Sequence, residues 1–203
     1  MSVTELFDIA DKTEQNDLQL DENGRLRHLL TLQGLDRQHL TDLLDEAEQY
    51  LSDDGEPVVR SAALSGRTVA NLFFEPSTRT RASFDVAARR LGADVLNLDV
   101  NTLSRKKGES ILDTIYTLQA MQIDVMVVRD AQDGVPAYVA RHVNDFVSIL
   151  NAGESDVSHP TQGLLDLLTI RRHKGGFDGL TVAIVGDIAL SRVARSAAEG
   201  LVT

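Results

Sequence analysis

The sequence of 203 residues predicts an α/β protein in which a parallel sheet carries helices on both faces. Short runs rich in β-branched residues alternate with longer runs whose apolar residues repeat at helical spacing. Such alternation is typical of parallel strands joined by crossover helices. The composition, 42% hydrophobic and 25% charged, is that of an ordinary globular protein.

The predicted elements follow one another along the chain. The first helix covers about residues 36–51, and the acidic loop at 53–57 ends it. Strands are predicted at 67–74, 94–100, 124–128, 146–150 and 180–185. The helices that alternate with them are predicted at 77–92, 109–121, 135–143, 161–173 and 191–201.

This order suggests a division into domains. We expect an acidic, mobile leader at 1–24, a main domain at 25–160 and a connecting helix at 161–175. The remaining βα unit, 176–203, cannot bury its own apolar faces. Either it packs onto the first sheet or it begins a second α/β domain that is cut off, and we favour the second interpretation.

Charge and composition exclude several classes of function. A net charge of −11 argues against a nucleic-acid-binding surface, which needs a basic stripe. The N-terminus has no signal-peptide pattern, and no apolar run approaches the roughly 20 residues that span a membrane. With no cysteine, the chain has neither disulfides nor a thiolate nucleophile. We therefore expect a cytoplasmic protein without nucleic-acid or membrane partners.

The most informative segment is STRTR at 77–81, which directly follows an apolar predicted strand. Free N–H groups and the helix dipole at the start of a helix attract anions. Hydroxyl groups add neutral donors, and arginine matches phosphate with a planar fork of donors. The alternative is a capping serine followed by solvated arginines. The position at the carboxyl end of a strand favours a phosphate site.

Other polar residues are expected at the same edge of the sheet. SHPTQ (158–162) follows a predicted strand, and a histidine with a glutamine there could bind a carbonyl and an amide. A histidine near a helix cap is the alternative reading. Arg129 ends another predicted strand, and the basic loop at 105–107 precedes a helix. There is no Walker motif, no G-x-G-x-x-G and no metal cluster, so we expect no cofactor and no metal.

Four parts of the sequence together resemble the catalytic chains of the aspartate carbamoyltransferase family. These parts are FFEPSTRTRASFDVAARRLGADVLN, KKGESILDT, LNAG with HPTQGLLDLLTI, and VAIVGD with SRVARS. The similarity runs from about residue 24 to the end. The ornithine branch shares STRTR and HP-x-Q, but the other motifs are closer to the aspartate branch. The resemblance implies a carbamoyl-phosphate-binding domain and transfer of the carbamoyl group to L-aspartate, in pyrimidine synthesis.

The resemblance also implies roles for individual residues. Four of them would hold the phosphate: Ser77, Thr78, Arg79 and Thr80. Arg129 would bridge the phosphate and the carbonyl oxygen, His159 would donate to that oxygen, and Gln162 would orient the carbamoyl NH2 group. Lys107 would enter the site from a neighbouring subunit, and Arg192 would bind a carboxylate of aspartate.

The resemblance finally implies a homotrimer with a shared site, open to further assembly with other subunits of the pathway. Since the later segments of the aspartate site are missing, we expect the chain alone to be inactive. Leu103, Asp130 and Leu190 replace a serine and two histidines that are usual in the family. These departures leave two alternatives open, a non-catalytic paralogue with a structural or regulatory role and a transferase with another acceptor such as ornithine.

Overall fold

The computed structural model describes residues 17–51, 60–98 and 110–203, and these residues confirm the predicted α/β class. Strands and helices alternate, and four parallel strands form one sheet. The helices are α1 Arg37–Glu48, α2 Thr78–Arg90, α3 Ile111–Ala120, α4 Val135–His142, α5 Pro160–Lys174 and α6 Arg192–Val202. The strands are β1 Thr68–Phe73, β2 Asp94–Leu98, β3 Val125–Asp130 and β4 Ser148–Glu154.

Local chemistry explains several element ends. Asp36 caps α1 by accepting a hydrogen bond from the backbone N–H of His39. Ser110 and Asp113 form a capping box at the start of α3. Gly175, with φ +77°, ends α5 in the left-handed conformation that glycine adopts most easily.

The strand order is β2-β1-β3-β4, so the chain starts at the centre of the sheet and adds strands on both sides. β1 pairs with β2 on one side and with β3 on the other. The direction in which strands are added to the sheet therefore reverses between β1 and β3, which makes the carboxyl ends of these two strands the topological switch point. Ligands of open α/β sheets bind at such a switch point.

Apolar side chains cover both faces of the sheet. One cluster contains Leu72, Ile115, Met126, Val139 and Ile149, and it packs α3 and α4 against the strands. On the other face, α2 packs through Phe84 and Ala88. Burial on both faces agrees with the near-continuous apolar strands that the sequence shows.

A third cluster joins α1 and α5 to residues 29–35. Helix α6 packs closely on α5 through two glycines. A Cβ atom at Gly163 would lie 3.0 Å from the carbonyl oxygen of Ser196, and one at Gly200 would lie 2.5 Å from a methyl group of Leu167.

The prediction of a strand at 180–185 is wrong. Residues 180–185 run without strand pairing, and Val185 is 93% exposed. A β-branched run becomes a strand only when a neighbour accepts its backbone hydrogen bonds, and no described strand lies beside this segment. The other predicted strands and helices in the described ranges form, with ends shifted by a few residues. None of the helices in these ranges is long and apolar enough to span a membrane.

Candidate active site

The candidate site begins where β1 ends and α2 starts. Ser77 is the N-cap residue of α2, with φ −154° and ψ 96°, and its side chain makes no capping hydrogen bond. The first-turn N–H groups of α2 thus lack an acceptor within the helix. Arg79 is exposed in this turn, and Thr80 is half-buried. The turn presents N–H groups, hydroxyls and a guanidinium together, which is the chemistry of an anion site.

Arg129 lies on β3, the strand next to β1, and its side chain is buried. Its Nη1 atom donates to the carbonyl oxygen of Ala152 at 3.1 Å, and its Nη2 atom lies 3.3 Å from Oε2 of Glu75. The buried Nε atom has no hydrogen-bond partner in the described part of the chain. Burial, and then the charge of Arg192, lower the pKa of Arg129 from its ordinary value. An anion at this point would satisfy a buried donor and offset both effects.

Glu75 lies between two guanidinium groups. Its Oε2 atom is 3.3 Å from Arg129 Nη2 and 3.5 Å from Arg192 Nη1. Arg192, on the first turn of α6, also donates to the carbonyl oxygen of Ser155 at 2.7 Å. The structure therefore joins the two predicted substrate arginines through one carboxylate.

A cleft of about 250 Å³ joins the start of α2 to the start of α5. It is lined by Thr80 and Phe84 from α2 and by His159, Thr161 and Gln162 from the α5 side. Gln162 donates from Nε2 to Asp166 at 3.0 Å, so that its Oε1 atom is left to accept a hydrogen bond, with no partner among the described residues. The cleft brings predicted phosphate and carbamoyl residues together.

The protonation state of His159 follows from its surroundings. Burial, followed by the charges of Arg129 and Arg192, lowers the pKa of His159 to about 4. At neutral pH the ring is therefore uncharged, and one ring nitrogen carries a proton to donate while the other can accept. Such a ring can donate to a carbonyl oxygen without adding a third positive charge.

The three residues that depart from the family pattern do not share one environment. Asp130 is buried, and its carboxylate accepts from the N–H of Gln132 at 2.8 Å, while the described ion pair of Arg129 is with Glu75. Leu190 is 68% exposed. Leu103 and Lys107 lie outside the described residues, so their predicted roles stay predictions.

Three further residues shape the site and were not predicted from the sequence. Glu75 stands inside the FEPSTRTR motif, and a lone carboxylate in a basic motif was the available signal. Gly153 has φ +119°, and a Cβ atom there would lie 2.7 Å from Arg129 Nη1. Ser196 contacts the backbone of His159 from α6, 37 residues away, and nothing local in the sequence indicates this pair.

Comparison with known proteins identifies relatives. Residues 27–172 match the family described as "Aspartate/ornithine carbamoyltransferase, carbamoyl-P binding domain". Among similar solved structures is aspartate transcarbamoylase from Trypanosoma cruzi in complex with aspartate and phosphate, at 37% identity and a TM-score of 0.76. This match covers 87% of the present chain and 55% of the other.

Two further structures of the Trypanosoma cruzi enzyme are similar. One is a complex with N-(phosphonacetyl)-L-aspartic acid, at 37% identity, a TM-score of 0.76 and coverage of 87% and 54%. The other is a complex with carbamoyl phosphate and aspartate, at 36% identity with the same TM-score and coverage. The chain thus spans about half the length of the solved structures that it matches.

Proposed function

Because the chain belongs to the aspartate/ornithine carbamoyltransferase family, we propose that it serves the transfer of the carbamoyl group from carbamoyl phosphate to L-aspartate. The products are N-carbamoyl-L-aspartate and phosphate, in pyrimidine synthesis. The observation that carries the proposal is the cleft that brings Thr80 together with His159 and Gln162. The complexes of the Trypanosoma cruzi enzyme with carbamoyl phosphate and aspartate support the choice of substrates.

The phosphate group binds at the first turn of α2, through Ser77, Thr78, Arg79 and Thr80. The free N–H groups and the helix dipole attract its charge. Arg129 extends this site because its unpartnered Nε atom is buried at the end of the neighbouring strand. When the phosphate leaves, these preorganised donors stabilise the charge that it gains.

The carbamoyl group lies in the cleft between α2 and α5. The uncharged ring of His159 donates a hydrogen bond to the carbonyl oxygen, and Oε1 of Gln162 accepts one from the NH2 group. A carbamoyl group offers both an acceptor and a donor, and this pair of side chains matches both. His159 then stabilises the negative charge that develops on the oxygen during attack.

The acceptor amine attacks the carbamoyl carbon directly. A C–N bond forms and the C–O bond to phosphate breaks. The phosphate leaves with the bonding electron pair and takes up the proton that the attacking nitrogen loses. No covalent enzyme intermediate is needed, so the site acts through orientation and charge stabilisation. Arg192 binds a carboxylate of aspartate, and that carboxylate takes the place of Glu75 beside the Arg192 guanidinium.

The protein assembles as a homotrimer in which Lys107 of one subunit completes the site of the next, and it is open to assembly with other subunits of the pathway. The basis of this proposal is the family resemblance alone. Light scattering of the purified chain measures the mass directly. A trimer agrees with the proposal, whereas a stable monomer at micromolar concentration contradicts it.

The two ends of the substrate give a sharp test. We would measure the affinities of the chain for carbamoyl phosphate and for inorganic phosphate by equilibrium dialysis. Gln162→Ala should weaken carbamoyl phosphate about tenfold and leave phosphate unchanged, because one hydrogen bond to the carbamoyl group is lost. Arg79→Ala should weaken both ligands. Equal effects of Gln162→Ala on both ligands, or no binding by the folded chain, would reject the assignment.

A further inference from the structure

A hydrogen bond links α6 to the backbone at His159. Ser196 is completely buried, and its Oγ atom accepts from the backbone N–H of His159 at 2.9 Å. The same Oγ atom lies 3.4 Å from Oγ of Ser158. The serine thus binds the two residues that lead directly into α5.

His159 depends on this contact because of its place in the chain. It is the N-cap residue of α5, with φ −147° and ψ 73°, and its side chain makes no capping hydrogen bond. Its ring faces the cleft beside Thr161. A buried N–H group that loses its acceptor is costly, so the Ser196 hydroxyl favours one placement of the backbone from which the ring projects.

Helix α6 is well suited to hold that position. The carbonyl oxygen of Ser196 lies 3.0 Å from where a Cβ atom of Gly163 would stand, so the two backbones are in direct contact. Thr31 anchors the helix further along, by donating from Oγ1 to Oε2 of Glu199 at 3.0 Å. One turn before Ser196, Arg192 pairs with Glu75 and with the carbonyl oxygen of Ser155.

We infer that Ser196 is a positioning residue, whose hydroxyl holds the backbone of His159 in the placement from which the ring enters the cleft. This inference rests on the proposed function, since it concerns the same site.

The test compares Ser196→Ala with the matched control Thr31→Val. Both substitutions remove a buried hydroxyl that anchors α6, but only the first removes the acceptor of the His159 N–H. The first readout is the titration of the His159 ring, followed by NMR. Its pKa is about 4 in the native chain, set by burial and by Arg129 and Arg192.

In Ser196→Ala the ring should titrate closer to the ordinary value of 6.5, because it is freer to leave its buried position. Affinity for carbamoyl phosphate should fall about tenfold while that for inorganic phosphate stays the same. Thr31→Val should change neither the titration nor the affinities, and Ser196→Thr, which keeps the hydroxyl, should restore both. If Ser196→Ala does not fold, Ser196→Cys gives the same comparison with a weaker acceptor.

Equal changes in Ser196→Ala and Thr31→Val would overturn the inference and leave Ser196 a general anchor of the helix. An unchanged His159 titration in folded Ser196→Ala would overturn it as well. The proposed function fails separately, if the native chain binds no carbamoyl phosphate. The NMR comparison still decides the role of Ser196 in that case.

Discussion

Replacing Gly153 by alanine should damage anion binding through Arg129. A Cβ atom at this position would lie 2.7 Å from Arg129 Nη1, whereas ordinary contacts begin at 3.4 Å. The guanidinium group must therefore move by about 0.7 Å, the difference between these two distances. The hydrogen bond from Nη1 to the carbonyl oxygen of Ala152, now 3.1 Å long, is lost or weakened.

The expected magnitude follows from these contacts. A hydrogen bond from a charged group contributes about 1.5–3 kcal/mol. If the displacement of Arg129 makes the free energy of phosphate binding less favourable by about 2 kcal/mol, the affinity for phosphate falls about 30-fold. The positive φ of +119° adds backbone strain of about 1–2 kcal/mol, which lowers the free energy of unfolding.

The assay is calorimetric titration of inorganic phosphate, combined with urea unfolding. Gly175→Ala is the matched control, since Gly175 has φ +77° and a Cβ atom there meets nothing within 4 Å. This variant should lose stability and keep its affinity for phosphate. If a folded Gly153→Ala chain binds phosphate within about twofold of the native chain, the contact between Gly153 and Arg129 does not govern phosphate binding.

Three further predictions follow from other contacts. His28 is buried and accepts from the N–H of Ile149 through Nδ1, and burial lowers its pKa from 6.5 to about 4. The free energy of unfolding that neutral His28 contributes is therefore fully present above pH 6.5 and is lost as the pH falls toward 4, by up to about 3 kcal/mol at pH 4. His28→Gln should reduce this pH dependence of stability in urea titrations. An unchanged pH profile in the variant would contradict the prediction. Glu75→Gln removes the carboxylate beside Arg129 and should raise affinity for inorganic phosphate several-fold by calorimetry; weaker binding would show that Glu75 orients the arginine rather than competing with the anion. Ser110→Ala breaks the capping box of α3 and should lower the free energy of unfolding by about 1 kcal/mol without changing phosphate binding, whereas a loss of binding would tie α3 to the site.

Much of the fold was predictable because it rests on short-range patterns. The helix α1 shows apolar residues at helical spacing after an aspartate cap, and β1 is an apolar run that ends at a loop. Both signals lie within a few residues, and the structure confirms both elements. Residues 180–185 carry an equally strong strand signal, but strand formation depends on a partner elsewhere in the chain.

The candidate site likewise combines features that the local sequence predicts with contacts between distant residues that it does not predict. The start of α2 is a local feature, so STRTR is enough to predict an anion site from the sequence alone. The contact of Glu75 with Arg129 and Arg192 joins residues 54 and 117 positions apart, and no local pattern encodes such a contact. The close approach of Gly153 to Arg129 and the bond from His159 to Ser196 likewise depend on how strands and helices pack.

The most direct test of the proposed carbamoyl-phosphate site is a calorimetric titration of carbamoyl phosphate into the purified chain, with Arg79→Ala as the control. We predict saturable binding that the substitution abolishes, because the first turn of α2 holds the phosphate. Circular dichroism and light scattering on the same samples establish folding and mass. A folded trimer that binds no carbamoyl phosphate, or that binds it equally well with Arg79→Ala, would contradict the account.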